Sequence, residues 1–287
     1  MLVCESAGAG LELVNESCPL CSSTEAGVWV THPQMLWVRC DCGLIYKRVA
    51  LSELPVERIY QQQYFTGGVY DARTRRRIAK SRNQILDVLN HAKPGPLLDV
   101  GCSLGYTLLA GQSLGLEATG VDVSEYAVEA CRAQKLVAER AVMDRLPFAD
   151  HSFGLVTIKH TLEHTPTPRL ALREVRRVLS ERGGLFIAVP DARYGKALRN
   201  PQASRFYAPD AGGLEHYVYY TPATLGRLLQ QEGFRVVRVN PALVHRQAPM
   251  SSRLLQSALA PLRAAAQWSA DRMQLRKEFW LTAVRAD

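Results

Sequence analysis

The stretch Leu97-Leu98-Asp99-Val100-Gly101-Cys102-Ser103-Leu104-Gly105-Tyr106, followed by Gly120-Val121-Asp122-Val123-Ser124, decides the fold. Leu97 to Val100 is a short apolar run interrupted only by an acid, the pattern of a strand buried in a parallel sheet. Gly101 and Gly105 allow a tight turn, and an apolar helix is expected from Tyr106. A second apolar strand, Ala118 to Val123, carries Asp122 near its carboxyl end. In dinucleotide folds such an acid holds a ribose, and the glycines let the ligand approach the backbone. The loop here reads Asp-x-Gly-x-x-x-Gly rather than Gly-x-Gly-x-x-Gly, and it has no Walker lysine.

With those residues in view, the chain resembles the class I S-adenosylmethionine (SAM) methyltransferases over about residues 60–240 and its last strand. The resemblance implies an α/β fold with a seven-stranded, mainly parallel, Rossmann-like sheet. It implies that Asp99, Gly101 and Gly105 line the methionine end of SAM and that Asp122 takes the ribose hydroxyls. An acid after the third strand accepts the adenine amino group in this family, and Asp144 is the match, with Met143 beside the ring. Cys102, Val123, Arg145 and Lys159 flank these positions and complete the expected cofactor-binding set. Cys102 reads as a small packing residue in the loop rather than a nucleophile.

The strand-helix rhythm continues downstream. Ser124 caps a helix reaching about Lys135, and a short strand is expected near Glu139 to Val142. Strand Phe153 to Ile158 has Gly154 where the family usually has an acid, a change expected to loosen the strand slightly. It runs into Lys159-His160-Thr161-Leu162-Glu163-His164. His-x-x-Glu-His is not read as a zinc-protease motif, because it follows a buried strand and is cut off by Pro166 and Pro168. It resembles the Leu-Glu-His segment of the ubiquinone-biosynthesis O-methyltransferases, some of which use these positions for a divalent metal or a base. His160 in place of an acid weakens a hard Mg²⁺ site. His160 and His164 are base candidates, since imidazole titrates near neutrality.

Helix Arg169 to Leu179 is expected to stop at Gly183-Gly184, ahead of strand Leu185 to Val189. The connection Ala192 to Tyr220 is long enough to suggest function, and it holds His216, a further base candidate. Thr221-Pro222 opens a helix ended by Gly233, and strands Phe234 to Val239 and Phe279 to Val284 follow. An Ala-, Leu- and Arg-rich helix at 251–277 is expected to cover the substrate or pair two subunits.

Upstream, Cys18-Pro19-Leu20-Cys21 and Cys40-Asp41-Cys42 frame a hairpin-length apolar segment with Trp29 and Trp37. Four thiolates make a closed structural Zn²⁺ site, and so small a segment needs such a staple. The second knuckle is one residue shorter than usual, which leaves His32 as a substitute ligand. The expected layout is a zinc-ribbon-like domain at 1–50, a linker and helical cap at 51–95, and the methyltransferase domain at 96–287. In the cap, Tyr64 and Tyr70 precede a helix from about Ala72 to Asn90.

The 287 residues carry a formal net charge of +8. That suits an anionic partner, although the arginines are spread along the chain. Arg73 and Arg75 to Arg77 read as a solvated helix face. No apolar run reaches membrane length, and the first residues lack the charge pattern of a signal peptide, so a cytoplasmic protein is expected. The resemblance implies methyl transfer to oxygen on a sugar-bearing or secondary-metabolite small molecule. An RNA base methyltransferase, a carbon methyltransferase on a nucleotide-linked sugar and a non-catalytic scaffold are the alternatives. RNA as partner would show as salt-dependent binding.

Overall fold

The computed structural model describes residues 11–33, 35–51, 74–194, 200–202, 207, 216–241 and 278–286. Cys4, Tyr64, Tyr70, Arg73 and the expected helix at 251–277 lie outside them. In chain order the elements are β1 (Leu11–Leu13), β2 (Gly27–His32), β3 (Met35–Arg39), β4 (Ile45–Leu51), α1 (Thr74–Leu89), β5 (Leu97–Val100), α2 (Tyr106–Gln112), β6 (Ala118–Asp122), α3 (Glu125–Ala133), β7 (Val137–Arg140) and β8 (Phe153–Lys159). A 3₁₀ turn (Leu162–His164), α4 (Pro168–Val178), β9 (Leu179–Pro190), β10 (Val218–Tyr219), α5 (Pro222–Gln231), β11 (Phe234–Pro241) and β12 (Glu278–Arg285) follow.

Seven strands form one sheet in the order β11-β12-β9-β8-β5-β6-β7. β5 pairs in parallel with both β6 and β8, and β12 runs antiparallel between β9 and β11. The chain therefore leaves β5 toward β6 and β7, then returns to the other side as β8 and β9. Strand order reverses at β5, and the crevice for a ligand lies beyond the carboxyl ends of β5, β6 and β8. β5 is buried along its whole length, as its apolar run requires.

A second sheet, β1-β4-β3-β2, is formed by the N-terminal cysteine ribbon. Leu11–Leu13 pairs with β4, so this part of the expected lead-in is ordered as a strand. The ribbon also receives β10 from the methyltransferase segment, with Val218 opposite Tyr46 and Tyr219 opposite Ile45. Cys18, Leu20, Val38, Leu44 and Tyr46 share one apolar core with Leu172, Leu225 and Leu228 of α4 and α5.

Two expectations change. Gly183-Gly184 does not end a helix: α4 stops at Val178 and the glycines lie inside the 12-residue β9. A Cβ on Gly184 would come within 2.2 Å of Val88 Cγ1, so the glycine is there to let α1 lie against the sheet. As expected, pairing loosens at Gly154, where the β8–β9 register shifts between Phe153 and Leu155; its backbone also packs on Gly95, where a Cβ would meet Gly95 Cα at 2.6 Å. The third parallel strand starts earlier, at Val137, because α3 ends at Ala133 and Lys135 turns the chain through positive φ.

Candidate active site and cysteine ribbon

The turn after β5 folds back on β6. Gly101 and Cys102 donate backbone N–H groups to the Val121 carbonyl at 2.8 and 3.0 Å. Gly101 has φ +77° and Gly105 φ +80°, and a Cβ at Gly101 would strike Thr161. Asp122, half-buried at the tip of β6, closes the arrangement. One carboxylate oxygen accepts from Ser103 N and the other from Ser124 N, each at 2.9 Å. Burial pushes its pKa up, against the lowering effect of those backbone donors. Each oxygen keeps a lone pair for a further donor. That geometry fits a ribose diol, and sequence reasoning did not foresee Ser103, which reaches Asp122 only through a φ of 50°.

The remaining cofactor-set residues divide. Val123 is half-buried beside Asp122, and Asp144 and Arg145 are exposed on the turn after β7. Asp144 accepts from Thr167 Oγ1 at 3.2 Å. Asp99, Lys159 and Cys102 are turned inward. Asp99 is fully buried and accepts from Thr157 Oγ1; burial raises its pKa, opposed by Lys159. The Lys159 ammonium donates to Ser81 Oγ at 2.9 Å and to Thr107 Oγ1, with its pKa lowered by burial. This polar network ties α1 and α2 under the glycine turn. Cys102 packs against Gly120, and its thiol pKa is raised by neighbouring Cys131 and by burial.

The second cluster stands at the carboxyl end of β8. Glu163 is buried and faces His160 Nδ1 at 3.5 Å and His164 Nε2 at 3.9 Å. Burial would push its pKa up, but the three surrounding histidines hold it below the usual carboxylate range. His160 also meets Glu278 of β12 at 2.8 Å. Burial alone would lower its pKa, yet the two carboxylates raise it to about 9. His216 behaves oppositely: burial and neighbouring His164 lower its pKa to about 3. Its Nδ1 lies 2.8 Å from the Tyr219 hydroxyl, and its ring packs edge-on to His164 at 4.6 Å. Side by side, then, are a cationic imidazole (His160), an ionised carboxylate and a neutral imidazole (His216). His164 and His216, from segments far apart in sequence, meet here. Glu278 gave no sequence signal, whereas Tyr219 is readable only as an aromatic three residues after His216.

Ligand atoms of Glu163, His164 and His216 lie within 4.8 Å of one another. Two imidazoles and one carboxylate are not the oxygen-rich, octahedral environment Mg²⁺ demands, so the residues do not fit that ion.

In the ribbon, Cys18, Cys21, Cys40 and Cys42 converge, with Cys18–Cys42 sulfurs 3.6 Å apart and Cys21–Cys40 sulfurs 3.4 Å apart. These separations exceed a disulfide's ~2.05 Å. They approach the ~3.8 Å edge of a tetrahedron with ~2.3 Å Zn–S bonds. The donors therefore fit a structural Zn²⁺. His32 stands opposite Met35 at the hairpin tip and takes no part.

A seven-stranded sheet in this order, with an acid-tipped β6 beside a glycine turn, defines a class I SAM-dependent methyltransferase. Residues 70–239 match the model of a family described as a methyltransferase domain, and the chain belongs to that family. Among curated relatives, an uncharacterized protein of Mycobacterium tuberculosis is 31% identical over 173 residues, covering 58% of this chain and 56% of the relative. An O-methyltransferase of Aspergillus sclerotiorum is 32% identical over 157 residues, 49% of this chain and 55% of the relative. A demethylmenaquinone methyltransferase of Thermotoga maritima is 28% identical over 185 residues, 55% of this chain and 77% of the relative. The chain thus spans about half the length of the first of these, 56%. Among solved structures, a SAM-dependent methyltransferase from Thermotoga maritima superposes with TM-score 0.53 at 14% identity, covering 81% of this chain and 98% of that one, a likeness of fold. No described helix is long and apolar enough to cross a membrane.

Proposed function

We propose that this methyltransferase transfers a methyl group to an oxygen of a small, sugar-bearing or secondary-metabolite acceptor. The reading rests on the site residues expected from the sequence. Asp122 holds the ribose hydroxyls, the turn through Gly101 and Gly105 takes the methionine end, and Asp144 with Arg145 borders the adenine. When bound, SAM supplies a methyl group on a sulfonium, ready for in-line displacement. The chain's own contribution is to position the acceptor, exclude water and accept one proton.

The observation that carries the reading is the half-buried His216, whose imidazole lies within 4.8 Å of Glu163 and His164 beyond the carboxyl end of β8 and is held neutral by desolvation. A hydroxyl losing its proton as the methyl arrives needs an unprotonated base, and His216 is one throughout the physiological range. The Glu163 carboxylate stabilises the imidazolium that forms. His160 is already protonated at neutral pH and serves instead as a fixed positive charge. Similarity to an O-methyltransferase supports oxygen as the accepting atom. The cysteine ribbon, with Zn²⁺ in a structural role, forms the N-terminal part of this layout.

Calorimetric titration with SAM and S-adenosylhomocysteine (SAH), alongside metal analysis of the same sample, tests the cofactor half. Binding that weakens in Asp122→Ala supports it; no binding by a folded sample overturns it. Screening glycosylated hydroxyl acceptors with methyl-labelled SAM tests the rest. Transfer lost in His216→Gln is expected, whereas full transfer in that variant removes His216 as the base.

A further inference from the structure

We infer that the cysteine ribbon is the acceptor-side wall of the active site and the platform that positions His216. This rests on the base reading of His216 given above.

The inference starts from where the 192–220 connection goes. It is anchored on the ribbon at separate places. The Gln202 side chain bonds both backbone groups of Thr31 in β2, accepting at 3.1 Å and donating at 2.6 Å, as a neighbouring strand would. Tyr207 and Tyr219 pack on Trp37 of β3, at centroid distances of 5.7 and 4.9 Å. β10 pairs with β4, and Lys47 N donates to the Tyr217 carbonyl at 2.8 Å. Tyr217 N in turn donates to the Glu163 carbonyl at 2.7 Å. Tyr217 is thus a bridge of backbone hydrogen bonds between the ribbon strand and the turn that carries Glu163 and His164. His216 is the adjacent residue, and its other tie is to Tyr219, whose ring rests on Trp37.

The glycine turn and Asp122 are held differently. Their hydrogen bonds run to β6, to Ser124 and, through the Ser103 and Leu104 carbonyls, to Cys131 and Gln134 at the end of α3, within the methyltransferase segment. The two halves of the reaction therefore have separate supports: SAM by the sheet, the base and acceptor wall by the ribbon. Trp37 reaches His216 through the Tyr219 ring, so Trp37 is a positioning residue. The cysteine cluster acts at one further remove, since a closed four-sulfur site fixes the knuckles that flank β2, β3 and β4.

The experiment perturbs the ribbon in two ways. Metal is stripped from the full chain by a chelator, and Trp37→Leu is made with all four cysteines intact. Four properties are read: metal content, SAH affinity by calorimetry, the rate of limited proteolysis, and the His216 ring proton signal by NMR, assigned by its loss in His216→Gln. The expected result is that both perturbations leave SAH affinity within about two-fold. Both shift the His216 signal and speed proteolysis within 192–220, while Trp37→Leu retains metal. An unchanged His216 signal in either case overturns the inference. SAH affinity that falls in step with the His216 change overturns it too, because the supports would then not be separate. Failure of the unperturbed chain to bind SAH is a distinct result that removes the methyltransferase site itself.

Discussion

At the scale of single residues, the neighbouring carboxylates and burial set two histidines to opposite charge states. His160 binds its proton more tightly folded than unfolded. Its contribution to stability is full below the ordinary histidine value of ~6.5 and is lost as pH rises through about 9. His216 refuses the proton when folded, so its contribution is present above ~6.5 and is lost as pH falls toward about 3. Thermal melts between pH 5 and 7 should show wild-type stability falling on acidification, with a flatter dependence in His216→Gln. Glu278→Gln removes one of the two carboxylates on His160, and the His160 titration followed by NMR should move down from about 9. Asp122→Ala removes the acceptor for two loop N–H groups as well as the proposed ribose partner. Calorimetry should show SAH affinity at least ~10-fold weaker, about 1.4 kcal/mol.

At the scale of elements, close approach decides where chains can lie. α1 rests on β9 because Gly184 offers no side chain. Gly184→Ala drives a methyl into Val88 and should cost about 1–3 kcal/mol in urea unfolding, with SAH affinity kept. The periodicity of α1, α3, α4 and α5 and the apolar runs of β5, β6 and β8 were readable because local burial patterns report them directly. The glycine pair in β9 misled because a helix stop and a close helix-sheet contact use the same residue for different reasons. β10 was invisible: two residues carry no period, and their partner strand lies far away in sequence.

At the scale of the molecule, ribbon and methyltransferase segment are joined by charged clamps as well as a shared core. Arg169 donates to the carbonyls of Pro19 and Leu20 while pairing with buried Glu232. Arg169→Ala leaves those carbonyls unpaired and Glu232 with Arg173 alone, so unfolding should cost ~2–3 kcal/mol less. The same variant should expose the ribbon to faster proteolysis in native buffer.

Sequence alone was enough for the α/β class, the glycine turn with Asp122, and the four convergent cysteines. Each is a local device: a strand end, a turn needing positive φ, a short ligand spacing. Tertiary structure alone decided that His216 meets Glu163 and His164, that Glu278 charges His160, and that Asp99 and Lys159 face inward. It also decided that β10 and Tyr207, from the connection after β9, pack on the ribbon. Those relations depend on pairing across long stretches of chain, and the charge states depend on burial. Neither follows from residue order, because both arise only when distant segments exclude water from one another.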